Sequence, residues 1–168
     1  ARFYGMLSNY AKAEPLLKEL AKITKKKRGP GHPETATRLN ELAKNYRSME
    51  NFSAARPLFQ EAAAIRKAAL GENHPDYARS LIDSAILHAS MQDYENAEQL
   101  YLSGIAVQRA ALGENDLNYA NSLENLADLY RAVSRYSKAE PLYRQVLDIR
   151  SQASGKANLD YLGSLTKL

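Results

Sequence analysis

The sequence predicts an all-α solenoid of tandem antiparallel helix pairs, and three observations carry that prediction. Four segments, His32-Pro33-Glu34-Thr35-Ala36, His74-Pro75-Asp76-Tyr77-Ala78, Asp116-Leu117-Asn118-Tyr119-Ala120 and Asn158-Leu159-Asp160-Tyr161-Leu162, start 42 residues apart. The aromatic column Tyr10, Phe52, Tyr94 and Tyr136, each followed three residues later by Ala, keeps that spacing, as does the glycine column Gly29, Gly71, Gly113 and Gly155. Self-similarity at such a period marks supersecondary units that bury their apolar faces only by stacking.

Each unit reads as two helices. In the fullest one, Leu123, Leu126, Ala127 and Tyr130 fall at i, i+3, i+4 and i+7, one stripe of an amphipathic helix A. Its start is marked by His74 before a proline suited to the first helical position, and by the N-cap residues Asp116 and Asn158. After the break at Ser134-Arg135, Ala139, Leu142, Tyr143, Val146, Leu147 and Ile149 continue as helix B until Gly155 supplies a C-terminal stop. Pro15, Pro57 and Pro141 lie near the first turn of helix B, where a missing N–H costs least. Residues 1–31 therefore hold a partial repeat, 32–73, 74–115 and 116–157 are repeats, and 158–168 begin another. Ala1 aligns with Ala43, in mid helix A, and neither end shows the polar cap of a terminal repeat, so a single array within a longer one is expected.

Composition narrows the function classes. With 45% hydrophobic and 25% charged residues and no Cys, the chain fits a globular protein and has no thiolate chemistry, disulfide or iron–sulfur ligand. Ala1 to Gly5 carry no signal-peptide pattern and no run reaches the roughly 18 apolar residues of a membrane span, so a cytoplasmic location is expected. The net charge of +4 is uneven. Residues 1–31 have eight Lys/Arg against two Asp/Glu, whereas residues 74–115 have two against six. The cationic run Lys25-Lys26-Lys27-Arg28 ends a helix B and complements its dipole. One turn can neutralise only a few phosphates, so nucleic acid is not the expected partner, which retention on a phosphate resin tests. The eleven Tyr all fall in repeat columns, the pattern that inter-helix packing requires.

No catalytic constellation emerges. His32 and His74 stand in the cap column later taken by Asp116 and Asn158, while His88 stands in the packed column of Tyr4, Tyr46 and Tyr130 and is expected to hydrogen-bond inside its hairpin. Phosphate-binding, dinucleotide, HExxH and calcium-loop motifs are absent. Asp83 and Asp128 could approach across units, a weak acid-pair signal. The expectation is a non-catalytic chain with no cofactor and no metal.

At this point Leu123-Glu124-Asn125-Leu126-Ala127-Asp128-Leu129-Tyr130 followed by Tyr136-Ser137-Lys138-Ala139-Glu140-Pro141-Leu142-Tyr143 resembles the tetratricopeptide repeat (TPR) family. The long helix B ending Ile65-Arg66-Lys67-Ala68-Ala69-Leu70-Gly71-Glu72-Asn73 is similar to its 42-residue, kinesin-light-chain-like variety, abundant in bacterial multi-repeat proteins. The resemblance covers the whole chain and implies a right-handed superhelix whose concave face, lined by helix A, binds protein segments. Where light chains carry paired Asn, this sequence has Asn40-Glu41, Ile82-Asp83, Glu124-Asn125 and Thr166-Lys167, so the light-chain peptide clamp does not transfer.

In that frame the groove residues are Arg2, Lys44, Ile86 and Asp128 in one column, Arg47 and Arg131 in a second, and Asn40, Ile82 and Glu124 in a third, with Arg79 and Asn125 beside them. The face reads as cationic near Lys44 and Arg47, apolar at Ile82 and Ile86, and mixed near Asp128 and Arg131, which suits a partner segment carrying an acid and an apolar anchor. Two further readings stay open. The array could be the regulatory or substrate-recruiting part of a larger enzyme, or it could self-associate through Leu162, Leu165 and Leu168.

Overall fold

The computed structural model describes residues 2–154 together with 163, 166 and 167, with side chains from residue 9 to 153 and at those three positions. Among the described residues there are seven helices and no strand: α1 (Arg2–Arg28), α2 (Pro33–Ser48), α3 (Phe52–Leu70), α4 (Pro75–Ser90), α5 (Tyr94–Leu112), α6 (Leu117–Ala132) and α7 (Tyr136–Ser154). They form three antiparallel hairpins, α2/α3, α4/α5 and α6/α7, preceded by α1, in a right-handed α-solenoid. Helices α4 and α6 also meet directly, while α3, α5 and α7 make no comparable contact with one another.

Local chemistry sets the boundaries. The Nδ1 atoms of His32 and His74 accept from the backbone N–H of Glu34 and Asp76, and the Asp116 carboxylate accepts from Asn118 and Tyr119, so each described member of the column caps its helix A. Helix A ends where Glu50, Gln92 and Ser134 turn left-handed at φ 58°, 62° and 58°. Each turn is closed by a hydrogen bond back across it, as from Asn51 N–H to Tyr46 C=O at 2.9 Å. Helix B ends at Gly71 and Gly113, whose φ of 89° and 85° a side chain would strain. The stop at Gly155 and the cap at Asn158 lie outside the described residues.

The first unit departs from the pattern. Ser8 occupies the turn column, yet residues 2–28 form one helix and Pro15 stands in its interior rather than near its start. In the later hairpins a full-length helix A packs back on helix B and stabilises the turn.

The largest apolar cluster runs through α4 to α7 and includes Ile82, Tyr101, Leu123, Leu126, Tyr130, Tyr143 and Val146. A second joins α2 and α3 to Leu87 of α4 around the fully buried Phe59. Among the described side chains, which leave out Tyr4 and Tyr161, the tyrosine columns pack as expected with one exception. Tyr136 is 62% exposed, whereas its equivalents Phe52 and Tyr94 are half-buried against the next hairpin, and no described hairpin follows α7. Hydrogen bonds reinforce the stacking: Tyr46 donates to Glu14 at 3.1 Å and Tyr130 to Glu98 at 2.8 Å, each tying a helix B to the following helix A. His88 bonds Asp93 at 2.7 Å inside its hairpin, so Asp93 precedes α5 without a side-chain cap bond.

Candidate functional site

The repeat columns become rows across the exposed side of α2, α4 and α6. One row is Lys44, Ile86 and Asp128, and the next, one helical turn along, is Arg47, Ala89 and Arg131. Asn125 and Arg79 flank these rows on α6 and α4. Arg2 starts α1, and its side chain lies outside the described ones.

The third column does not face the groove. Ile82 and Asn40 are only 6% and 4% exposed. Ile82 packs over Gly104 of its own hairpin, and Asn40 donates Nδ2 to Asp83 Oδ2 at 2.7 Å. Glu124, in the same column, is clamped by Arg150 of α7 at 2.8 and 3.2 Å. Helix A buries a wider arc than four positions per two turns, because it meets its own helix B and the preceding one together. Burial alone would raise the Glu124 carboxyl, but hydrogen bonds from Arg150 and Lys167 outweigh it and hold it below its ordinary value.

The charges of the rows are also partly spent. Lys44 Nζ lies 2.9 Å from Asp83 Oδ2, so the buried Asp83 draws both Asn40 and Lys44 from α2 to α4. Arg79 pairs with Asp76 at 3.3 Å. Asp128 accepts from the Tyr143 hydroxyl at 2.5 Å and from Lys167 at 2.8 Å, with Arg131 at 3.6 Å. Asp83 and Asp128 are thus separately neutralised and do not form an acid pair. Arg47 is half-exposed and has no ion pair among the described residues. In the basic run, Lys25 pairs with Glu61 at 3.1 Å and Arg28 with Glu34 at 3.0 Å, which leaves less cationic surface than the sequence shows. Among the described residues no three acidic or histidine side chains are grouped to hold a metal, and no helix is long and apolar enough to cross a membrane.

Between α4 and α6 the surface sinks into a cleft of about 330 Å³. Ile86, Ala89, Leu129 and Ala132 form its aliphatic walls, and Asn125 and Asp128 its polar edge. At the bottom lies Tyr101 of α5, 3% exposed, which the column reading assigned to packing alone. The signal for it was present in the repeats. The residue on helix A above this position is Lys44, Ile86 or Asp128, and the residue on helix B is Phe59, Tyr101 or Tyr143, so only the middle unit keeps a hydroxyl under an aliphatic side chain.

The tetratricopeptide repeat profile matches this chain in three overlapping runs, residues 1–68, 39–110 and 83–152. Solved structures share its architecture. BtubC (BKLC) from P. vanneervenii superposes with a TM-score of 0.77 at 22% identity, over 88% of this chain and 59% of that protein's length. The nearly identical TPR-like repeats of a putative kinesin light chain from Podosopora anserina superpose at 0.76 with 24% identity, over 97% of this chain and 77% of that one, and a substituted form of the same repeats superposes at 0.77. No curated protein matches the chain. At these identities the likeness shows the solenoid fold, and the profile shows the family. The chain belongs to the tetratricopeptide repeat family, whose arrays are typically non-catalytic scaffolds for protein–protein interaction.

Proposed function

We propose that this chain is a non-catalytic scaffold that holds an extended protein segment along the exposed rows of α2, α4 and α6. The observation that carries the reading is a cation that shares a face with an apolar cleft: Arg47 has no ion pair among the described residues, and its charge acts on Tyr101 of the cleft walled by Ile86 and Ala89. The partner's acidic residue meets Arg47 rather than Lys44, whose ammonium is held by Asp83. Its apolar anchor covers Ile86, since Ile82 is inside the hairpin. A buried anchor supplies affinity and a rim charge supplies register and association rate.

The test is a library of extended dodecapeptides panned on the protein and on Arg47→Glu. The expected result is enrichment of Asp or Glu by the unaltered protein, weakening with salt, and a loss of about tenfold in affinity on charge reversal. Acid enrichment that survives the reversal would move the acid elsewhere on the surface. A library from which the unaltered protein selects nothing would remove the groove reading altogether.

A further inference from the structure

We infer that the Tyr101 cleft is a side-chain specificity pocket that accepts a neutral, carboxamide-tipped anchor of glutamine type. The inference rests on the groove reading above and says which side chain the groove selects. Tyr143 and Tyr101 occupy the same position in successive hairpins, but their hydroxyls differ. Tyr143 donates to Asp128 at 2.5 Å, whereas the position equivalent to Asp128 in the Tyr101 hairpin is Ile86, which cannot accept. The Tyr101 hydroxyl makes no hydrogen bond to any described residue, although the residue is only 3% exposed.

That hydroxyl is at the open end of the ring. Tyr101 lines the cleft, its hydroxyl is not among the unpaired polar atoms sealed from solvent, and the charges of Arg47, Asp128 and Asp83 act on it, so the hydroxyl opens to the cleft. Burial, more than any of those charges, raises its pKa, so the group is a neutral donor at physiological pH. The Asn125 carboxamide, at the edge of the same cleft, also has no hydrogen bond to a described residue. With Ser90 bonded to the Ile86 carbonyl, Asp128 taken by Tyr143 and Lys167, and Tyr94 lining the cleft beside them, the Tyr101 donor at the floor and the Asn125 donor–acceptor pair at the rim match an apolar stem ending in a carboxamide. The ligand's oxygen takes the Tyr101 proton, and its NH₂ gives one to the Asn125 oxygen. A charged tip of either sign would have to lose its water between aliphatic walls, a carboxylate beside Asp128 and a cation where the charges of Asp128 and Asp83 are already met by Lys167 and Lys44. A purely aliphatic anchor would fill the space and seal an unpaired hydroxyl beneath it, the arrangement that buried polar sites discriminate against.

The experiment pans a positional-scanning peptide library on the protein, Tyr101→Phe, Ile86→Asp and Tyr143→Phe, with thermal melting of each. The unaltered protein is expected to favour Gln over Leu and Met at one position by about tenfold. Tyr101→Phe is expected to reverse that preference with an unchanged melting temperature, because no hydrogen bond is lost on folding. Ile86→Asp supplies the acceptor that Asp128 gives Tyr143 and is expected to abolish the Gln preference with Tyr101 still present. Tyr143→Phe is expected to lower the melting temperature and leave the preference intact. An unaltered protein that prefers Leu or Met, or a Gln preference identical in Tyr101→Phe, would overturn the inference while leaving the groove reading standing. Selection of no peptide at all would overturn both.

Discussion

Gly104 is the residue with the least room to change. A Cβ built there would lie 2.8 Å from Ile82 Cδ1 and 3.1 Å from the Ala78 carbonyl oxygen, and the second contact cannot swing away. Gly104→Ala gains helix propensity of about 0.5–1 kcal/mol but overpacks a contact where such insertions cost about 1–3 kcal/mol. The expected outcome is a net loss of about 1 kcal/mol in urea denaturation, recovered in part by Ile82→Val, and additive effects in that double-mutant cycle would count against the steric account. Tyr143→Phe removes a hydroxyl bonded to a carboxylate at 2.5 Å and is expected to cost about 1.5–3 kcal/mol. The same change at Tyr101 is expected to be neutral within about 0.5 kcal/mol, because it removes no hydrogen bond.

At the level of elements, capping is interchangeable by chemistry rather than by residue type. His74 holds the Asp76 N–H through Nδ1, as Asp116 holds Asn118 and Tyr119 through its carboxylate. His74→Ala is expected to cost about 1 kcal/mol and His74→Asp to restore it, read from the midpoint of urea unfolding. An equal loss in both variants would mean that the imidazole acts by packing instead. The helices, their order and these caps were legible in the sequence because a fixed period repeats each boundary signal several times. The continuity of α1 was not, because a column comparison places a turn at Ser8 by position, and the helix runs through it. The groove was legible only for its outer rows. Asn40 and Ile82 read as exposed because two neighbours bury helix A from different sides, and Tyr101 read as core because its hydroxyl's lack of an acceptor is a property of two helices compared across units.

Across the whole molecule, hairpins are held to one another by charges as well as by the core. Glu98 accepts from Tyr130, Arg135 and Lys138 of the next hairpin, and the Tyr130 hydrogen bond above all holds its carboxyl low despite burial. Asp93 and Glu124 are likewise lowered from ordinary values of 3.8 and 4.5. A carboxyl whose folded pKa is depressed adds stability above its unfolded pKa and loses it as pH falls through the folded one. The stability that these carboxylates contribute is therefore expected to decline once pH drops below the ordinary carboxyl range, as followed by urea midpoints. A midpoint unchanged at about pH 3 would show that these contacts do not hold the array together. Because each unit contacts only its neighbours, stability is local. Helix α1 leaves Leu16, Leu20 and Ile23 substantially exposed, so its amides are expected to exchange with deuterium at least about tenfold faster than those of α4 and α5. The fit of Ile82 over Gly104 bears on how such an array can be lengthened or shuffled. The facing pairs in the other hairpins are Asn40 with Ala62 and Glu124 with Val146, each a different division of the same space between two helices. A helix A transplanted alone would meet a partner of the wrong size, whereas a hairpin carries its own match. Gene duplication or recombination can therefore copy whole hairpins freely, and a crossover that cuts between α4 and α5 separates two residues that only fit each other.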